Sequence, residues 1–203
     1  MGARQILTIG HSTLAVSDFL SMLKANDVTA VADVRSAPYS RFNPGFNREA
    51  LKGEVQKHGV SYVFLGKELG GRPADPACYE NGRVSYPKMA ETDEFKRGLE
   101  RVIQGSATHR IALMCSEGDP LNCHRTLLIA RALAERGVPV VHVTRDGRLE
   151  AQAEAEDRLM RLVGLSETMF RSRSELLAEA YGLQARRVAY TERGGAPADA
   201  ETV

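Results

Sequence analysis

The chain has 203 residues, of which 43% are hydrophobic and 26% are charged, with 27 basic and 26 acidic side chains and a formal charge of +1. This balance argues against a dedicated nucleic-acid or anionic-membrane binder, and no run approaches the roughly 18 apolar residues of a membrane span. Three cysteines do not form the paired set of a secreted disulfide scaffold. No signal-peptide pattern opens the sequence, so the expected location is the cytoplasm, without membrane association.

Short apolar runs alternate with amphipathic stretches along the first 148 residues. In the first predicted helix, for example, Phe19, Leu20 and Leu23 form one apolar stripe. The pattern predicts strands at residues 5–9, 28–34, 61–65, 110–114 and 138–143, and helices at 16–26, 47–58, 88–104 and 121–136. Residues 66–85, rich in glycine and proline, are predicted as a long loop.

Strands without polar alternation, separated by helices, are typical of a parallel sheet covered on both faces. We therefore predict a Rossmann-like three-layer α/β sandwich with a mostly parallel sheet of about five strands. The predicted organisation is an α/β domain at 1–148, a helical extension at 149–190 with helices at about 149–163 and 174–184, and a disordered tail at 191–203.

Ligands of open α/β sheets bind beyond the carboxyl ends of the strands, and here the residues at those ends are chemically reactive. The first predicted strand is followed by Gly10-His11-Ser12-Thr13, the second ends in Asp33-Val34-Arg35-Ser36, and the fourth runs into the segment 115–125. Four of the five strands bring titratable side chains to one edge of the sheet.

The segment 115–125 (Cys-Ser-Glu-Gly-Asp-Pro-Leu-Asn-Cys-His-Arg) carries the densest chemistry. Asp119 before Pro120 is a typical helix cap followed by a first helical residue, which predicts Cys123 near a helix N-terminus. That position favours an anion and lowers a thiol pKa. Arg125 is then predicted to bind a phosphate or carboxylate.

Each of these residues also has a plain structural interpretation. Cys115 and Cys123 are both compatible with ordinary buried thiols, and His142, inside an apolar strand, is better explained as a core residue. Asp33 and Arg35 fit a structural ion pair as well as a catalytic carboxylate and an anion clamp.

The standard motifs for phosphate binding, dinucleotide binding and cysteine phosphatases are absent from the sequence. The cysteines lack paired Cys-x-x-Cys spacing, so no metal and no cofactor is predicted. A metal assembled in space from Cys115, Cys123, His124 and His11 is the alternative.

Several of these segments resemble a prokaryotic family called domain of unknown function 488. The matching pieces cover about residues 5–147 and are Thr8-Ile9-Gly10-His11-Ser12-Thr13, Asp33-Val34-Arg35-Ser36 with Pro38 and Ser40-Arg41, Leu65-Gly66 with Leu69-Gly70-Gly71, and Met114-Cys115-Ser116-Glu117 through Cys123-His124-Arg125. The resemblance implies an α/β domain whose polar motifs line one cleft, and it brings no established reaction.

The leading hypothesis is an enzyme, a Cys/His-dependent hydrolase or transferase, acting on a small phosphorylated or nucleotide-like ligand. The expected catalytic residues are Cys115, Cys123, His124, His11, Asp33 and Glu117, and the expected substrate-binding residues are Ser12, Thr13, Arg35, Ser36, Arg41 and Arg125. Two alternatives stay open: a non-catalytic nucleic-acid or nucleotide-binding module that uses Tyr39 or Phe42 with the basic loops, and a thiol redox or metal protein.

Overall fold

The computed structural model of the protein describes residues 5–167 and 169–192. Most of the tail expected at 191–203 lies outside these residues, whereas Thr191 forms a β-bridge with Arg83. Within the described part of the chain, no helix combines the length and apolar character needed to cross a bilayer.

The centre of the molecule is a six-stranded sheet in the order β3-β2-β6-β1-β7-β8. Its strands are β1 (Ile6–Gly10), β2 (Ala30–Asp33), β3 (Ser61–Phe64), β6 (Ile111–Cys115), β7 (Val140–Val143) and β8 (Leu149–Ala151). The first five are parallel, and β8 pairs antiparallel with β7. A separate hairpin consists of β4 (Tyr79–Glu80) and β5 (Arg83–Val84).

Helices cover both faces of the sheet, which confirms the predicted three-layer α/β architecture. They are α1 (Val16–Ala25), α2 (Arg48–Lys57), α3 (Gly66–Leu69), α4 (Tyr86–Glu91), α5 (Asp93–Gly105), α6 (Arg131–Ala134), α7 (Gln152–Leu162) and α8 (Arg173–Val188). The central strands β1 and β6 are buried at every residue, which explains their uninterrupted apolar sequences.

Alternate residues of each strand belong to two hydrophobic cores. Leu7 and Met114 pack with α1 and α2 on one face. Leu113 packs on the other face with α5, α7 and α8. The two C-terminal helices therefore share a core with the sheet.

Four local predictions need correction. The sixth strand, β8, occupies the start of the helix predicted at 149–163, and the segment 66–85 contains α3 and the β4–β5 hairpin. The helix predicted at 88–104 is divided at Thr92, whose side chain accepts a hydrogen bond from the Phe95 N–H and so caps α5. The helix predicted from residue 121 begins as a 3₁₀ turn (Pro120–Asn122).

The helix that follows β6 is irregular. It begins at His124, is π-helical over Arg125–Ala130 and ends as α6. We call residues 124–134 the composite helix. Short π-helical segments occur often at functional sites, and this one begins directly after the reactive residues of segment 115–125.

Candidate functional site

The site lies at the carboxyl ends of β2, β6 and β1, which are adjacent in the sheet. The polar segments that follow these strands are therefore neighbours in space. Backbone hydrogen bonds join two of them, since the His11 N–H donates to the Cys115 carbonyl and the Ser12 N–H donates to the Ser116 carbonyl.

Four side chains form the centre of the site, and we call them the Cys-His-Glu cluster: Cys115, Glu117, Cys123 and His124. Glu117 Oε2 lies 2.9 Å from Cys115 Sγ and 3.1 Å from Cys123 Sγ. His124 Nδ1 lies 3.8 Å from each sulfur. One ligand atom of each residue lies within 4.8 Å of all the others. The cluster thus brings four metal-binding side chains onto one point.

The chain builds the cluster through two successive turns. Asp119 accepts a hydrogen bond from the Leu121 N–H and caps the 3₁₀ turn that Pro120 begins, so the predicted cap is confirmed on a shorter element. Cys123 is extended at φ −137° and precedes the composite helix. Its sulfur accepts a hydrogen bond from the Arg125 N–H at 3.4 Å, as an N-cap side chain does.

The two thiols differ in acidity. Burial opposes ionisation of Cys123, but a hydrogen bond with Cys115 and the positive charge of Arg125 lower its pKa well below the usual value. That hydrogen bond, with burial, raises the pKa of Cys115. Burial also opposes protonation of His124, yet the negative charge on Cys123 raises its pKa. Cys123 is therefore the more readily ionised sulfur.

Two glycines allow the backbone of neighbouring segments to approach the cluster closely. A Cβ on Gly10 would lie 1.8 Å from the Glu117 carbonyl oxygen, so only glycine lets β1 pass beneath that loop. A Cβ on Gly71 would lie 3.0 Å from the His124 ring, which means that the backbone at residue 71 packs directly against the imidazole. Both glycines belong to the segments that carry the family resemblance.

Asp33, Arg35 and His11 lie beside the cluster and bind one another. Arg35 makes a bidentate ion pair with Asp33, with Nε–Oδ1 at 2.9 Å and Nη2–Oδ2 at 2.7 Å, and Tyr62 donates its hydroxyl to the same carboxylate. His11 stacks on Phe46 with ring centroids 4.2 Å apart. Burial, and then the charge of Arg35, lower the pKa of His11 to about 4. The three side chains are at most 3% exposed, and Arg35 Nη1 lies 3.3 Å from His11 Nε2.

Arg125 has no exposed surface, which differs from the expectation that it contacts a ligand. Its Nη1 and Nη2 donate to the carbonyl oxygens of Glu117 and Gly118. The guanidinium thus lies beneath the loop that carries Glu117 and fixes the path of its backbone.

Of the remaining expected substrate-binding residues, Ser36 lines the same pocket as the cluster, whereas Ser12, Thr13 and Arg41 do not. Ser36 accepts a hydrogen bond from the Arg72 N–H, and Thr13 accepts one from Arg145. Ser12 has a positive φ of 44°. Arg41 lies on the surface with its guanidinium 5.2 Å from the centre of the Phe42 ring.

A pocket of about 380 Å³ opens above the cluster, and we call it the cluster pocket. All four cluster residues line it, together with Arg35 and Ser36. The other lining residues are Ala37, Tyr39, Gly71, Arg72, Tyr86, Ser116, Asn122, Val188 and Tyr190. Its volume lies within the range of small-molecule sites.

Sequence reasoning missed several of these residues. Tyr190 comes from the end of the chain, where no local pattern indicates a site, and Arg72 lies in the segment that was predicted only as a loop. The Gly70-Gly71 pair immediately before Arg72 was the available signal, because consecutive glycines often mark a close approach of backbone to other groups.

The fold and the site define a three-layer α/β protein with a Cys-His-Glu cluster at the carboxyl edge of a parallel sheet. The model of the family described as "Domain of unknown function DUF488" matches residues 15–132, and the chain belongs to this family. The matched span includes the whole cluster, whereas the Thr8–Thr13 segment lies before it.

No curated protein matches the chain. Among solved structures, the chain is similar to the solution NMR structure of a de novo designed protein with a P-loop NTPase fold. The identity is 15%, the alignment covers 97% of this chain and 99% of the designed one, and the TM-score is 0.40.

Proposed function

We propose that this DUF488 protein is an enzyme that binds a small anionic, nucleotide-like substrate in the cluster pocket and catalyses hydrolysis or group transfer at the Cys-His-Glu cluster. The observation that carries the proposal is the position of the cluster, which lines a pocket of ligand size at the usual ligand-binding edge of an α/β sheet. A purely structural cluster needs no such opening.

Arg72 supports the choice of an anionic substrate. It is exposed at the pocket, and its guanidinium lies 4.5 Å from the centre of the Tyr190 ring. Stacking on an aromatic ring orients a guanidinium while leaving its N–H edge free for a phosphate or carboxylate. Arg72 therefore replaces the buried Arg125 as the proposed anion contact.

Two tyrosines support a substrate with a flat ring. Tyr39 is 70% exposed and Tyr190 is 36% exposed, and both line the pocket. Exposed aromatic rings of this kind stack on nucleobases and on other planar groups, and each stacked base contributes about 1–3 kcal/mol.

Equilibrium binding tests the proposal, with adenosine monophosphate and inorganic phosphate as probes. Arg72→Ala is expected to weaken binding about tenfold to a hundredfold, because a hydrogen bond to a charged group contributes about 1.5–3 kcal/mol. The matched control is Arg41→Ala, which removes another arginine stacked on an exposed ring but outside the pocket. Equal effects of the two substitutions would contradict the assignment of the pocket.

Turnover is tested separately by following hydrolysis of nucleoside phosphates and phosphate esters. Cys123→Ser is expected to abolish product formation while probe binding at Arg72 persists. If a bound substrate were converted at an unchanged rate by this variant, the cluster would not be the reactive centre.

A second candidate is a nucleic-acid-binding module without catalysis. The observation in its favour is the loop after β2, where Tyr39 and Phe42 are 70% and 90% exposed and Arg41 lies beside them. Single-strand binders combine such rings with cations. Oligonucleotide binding that weakens steeply with salt, depends on Phe42 and gives no product would favour this function.

A further inference from the structure

We infer that the Cys-His-Glu cluster is a zinc site in which Cys115, Cys123 and His124 are permanent ligands and Glu117 is an exchangeable one. The inference deepens the proposed function, on which it rests for the presence of a substrate, by naming the cofactor of the same centre. The set differs from the metal alternative considered from sequence, because Glu117 takes the place given there to His11.

The distances fit a tetrahedral ion. Zinc binds sulfur at about 2.3 Å and nitrogen or oxygen at about 2.0–2.2 Å, so a regular tetrahedron separates its ligand atoms by about 3.6 Å. The sulfur–nitrogen separations in the cluster are both 3.8 Å, and the sulfur–oxygen separations are 2.9 and 3.1 Å. The two sulfur–nitrogen edges are about 0.2 Å longer than the tetrahedral separation, and the two sulfur–oxygen edges are about 0.5–0.7 Å shorter, so the Glu117 oxygen has to move outward to complete a regular tetrahedron.

The orientation of His124 also suits a ligand. Its Nε2 lies 3.1 Å from the Val34 carbonyl oxygen, which only accepts hydrogen bonds, so Nε2 carries the proton. In the neutral ring Nδ1 then presents its lone pair to the two sulfurs. A backbone carbonyl holding the far nitrogen is the usual way in which proteins orient metal-binding histidines.

The donor types select the ion. Two sulfurs with one imidazole favour zinc over magnesium or calcium, which prefer oxygen ligands. Cys115 and Cys123 are only 3% and 1% exposed, and both sulfurs face the same point. A free thiolate nucleophile needs access to its substrate, and this burial is better suited to a ligand.

Glu117 differs from the other three residues because it lies on the surface while its Oε2 is directed inward. Its backbone is held by Arg125, so the side chain is able to turn outward without movement of the loop. Structural zinc sites are closed by four firm ligands, whereas catalytic sites keep one position that water takes. The geometry assigns this site to the catalytic type.

A bound zinc ion lowers the pKa of water in the open position and so supplies hydroxide for hydrolysis. Glu117, once displaced, accepts the proton of that water. The hydroxide oxygen forms a bond to the phosphorus or acyl carbon of the substrate, and the bond to the leaving group breaks. Glu117 returns the proton to the leaving group, so that one water is added across the broken bond.

Metal analysis of protein expressed with zinc and purified without chelator is the first test. The expected content is about one zinc per chain for the wild type and at least a tenfold lower content for Cys123→Ser and His124→Ala. The matched control is Cys78→Ser, since Cys78 is also a buried free cysteine but lies outside the cluster. Circular dichroism checks that each variant is folded.

Cobalt titration of the reduced wild-type protein tests the metal site without any substitution, so its result does not depend on the folding of a variant. Two thiolate ligands predict strong sulfur-to-cobalt charge-transfer absorption and the intense visible bands of a tetrahedral ion, saturating at one equivalent. Glu117→Ala is expected to retain the charge-transfer band with altered visible bands. A wild-type protein that binds neither metal under reducing conditions, or zinc loss in Cys78→Ser but not in Cys123→Ser, overturns the inference.

The same measurements separate the proposed substrate class from the proposed zinc site. Arg72→Ala is expected to lose anion binding and to keep its zinc. If zinc binds as described but no anion binds, the proposed substrate class is wrong and the metal site stands. If anions are bound and converted in a Cys123-dependent reaction by a metal-free protein, the zinc inference is wrong and the proposed function stands.

Discussion

His142 provides a quantitative test of the core, because it is a fully buried histidine within β7. Its Nδ1 lies 2.8 Å from Thr8 Oγ1, and its Nε2 lies 2.8 Å from Gln152 Oε1. Burial, which outweighs the hydrogen bond with Gln152, lowers its pKa from 6.5 to about 4. We predict that His142→Gln removes part of the acid sensitivity of folding.

The direction and size of this change in the free energy of unfolding follow from the difference between the pKa values of His142 in the folded and unfolded states. Above pH 6.5 His142 is neutral in the folded and unfolded states, so it makes no contribution to the pH dependence. Between pH 6.5 and about 4 the unfolded chain binds a proton that the folded protein does not, and the free energy of unfolding falls as the pH falls. At about 1.4 kcal/mol for each pKa unit, the loss is about 3 kcal/mol.

Urea unfolding at several pH values between 4 and 8 measures this loss. The matched control is Thr8→Val, which removes one hydrogen bond but leaves the buried histidine. It is expected to lower stability by about 1 kcal/mol at pH 7 and to keep the acid-dependent loss. If His142→Gln lost as much stability as the wild type between pH 6.5 and 4, the argument from burial would be refuted.

Gly10→Ala and Arg158→Ala test how the site loop is held, and Gly53→Ala is a glycine substitution away from the site. Gly10→Ala places a Cβ against the Glu117 carbonyl and is expected to reduce the zinc content at least tenfold. The Cβ added by Gly53→Ala in α2 meets no atom within 4 Å, so this substitution is expected to stabilise the protein by about 0.5–1 kcal/mol in urea unfolding. Arg158→Ala removes ion pairs with Glu150 and Asp119, but its side chain is 35% exposed, so we expect a loss of about 1 kcal/mol or less that shrinks in high salt.

Burial on both faces made the central strands predictable. A strand such as β6 needs apolar residues at every position, and that pattern is distinct from the helical period around it. The edge strand β8 has no such signature, because Leu149 and Ala151 are exposed and the segment continues directly into α7. Its three residues are held by pairing with β7, which is a tertiary interaction that local periodicity does not record.

The composition of segment 115–125 indicated the cluster, but the direction of each side chain depended on the backbone. The sequence spacing of Cys115, Cys123 and His124 matches no standard zinc motif. The 3₁₀ turn and the extended backbone of Cys123 bring both sulfurs to one point, and neither feature is visible in the spacing. Arg125 follows them directly, yet the π-helical turn carries it beneath the loop. Of the three arginines expected to bind an anion, Arg35 and Arg125 are thus buried and hydrogen-bonded to the protein itself, whereas Arg41 lies on the surface.

The positive charges of Arg35 and Arg125 balance only part of the negative charge at the cluster, which bears on the inferred zinc ion. Beside the buried carboxylate of Asp33, the cluster contains the Glu117 carboxylate, whose Oε2 is directed inward from the surface, and two thiolates when both cysteines act as ligands. Arg35 and Arg125 supply two positive charges, which leaves two negative charges uncompensated. Uncompensated charge in a protein interior is strongly unfavourable, and a divalent cation removes it. The hydrogen bonds of Arg35 and Arg125 to the protein itself are consistent with this balance, because in the proposed arrangement zinc neutralises the cluster and the anion is recognised by Arg72 at the rim of the cluster pocket.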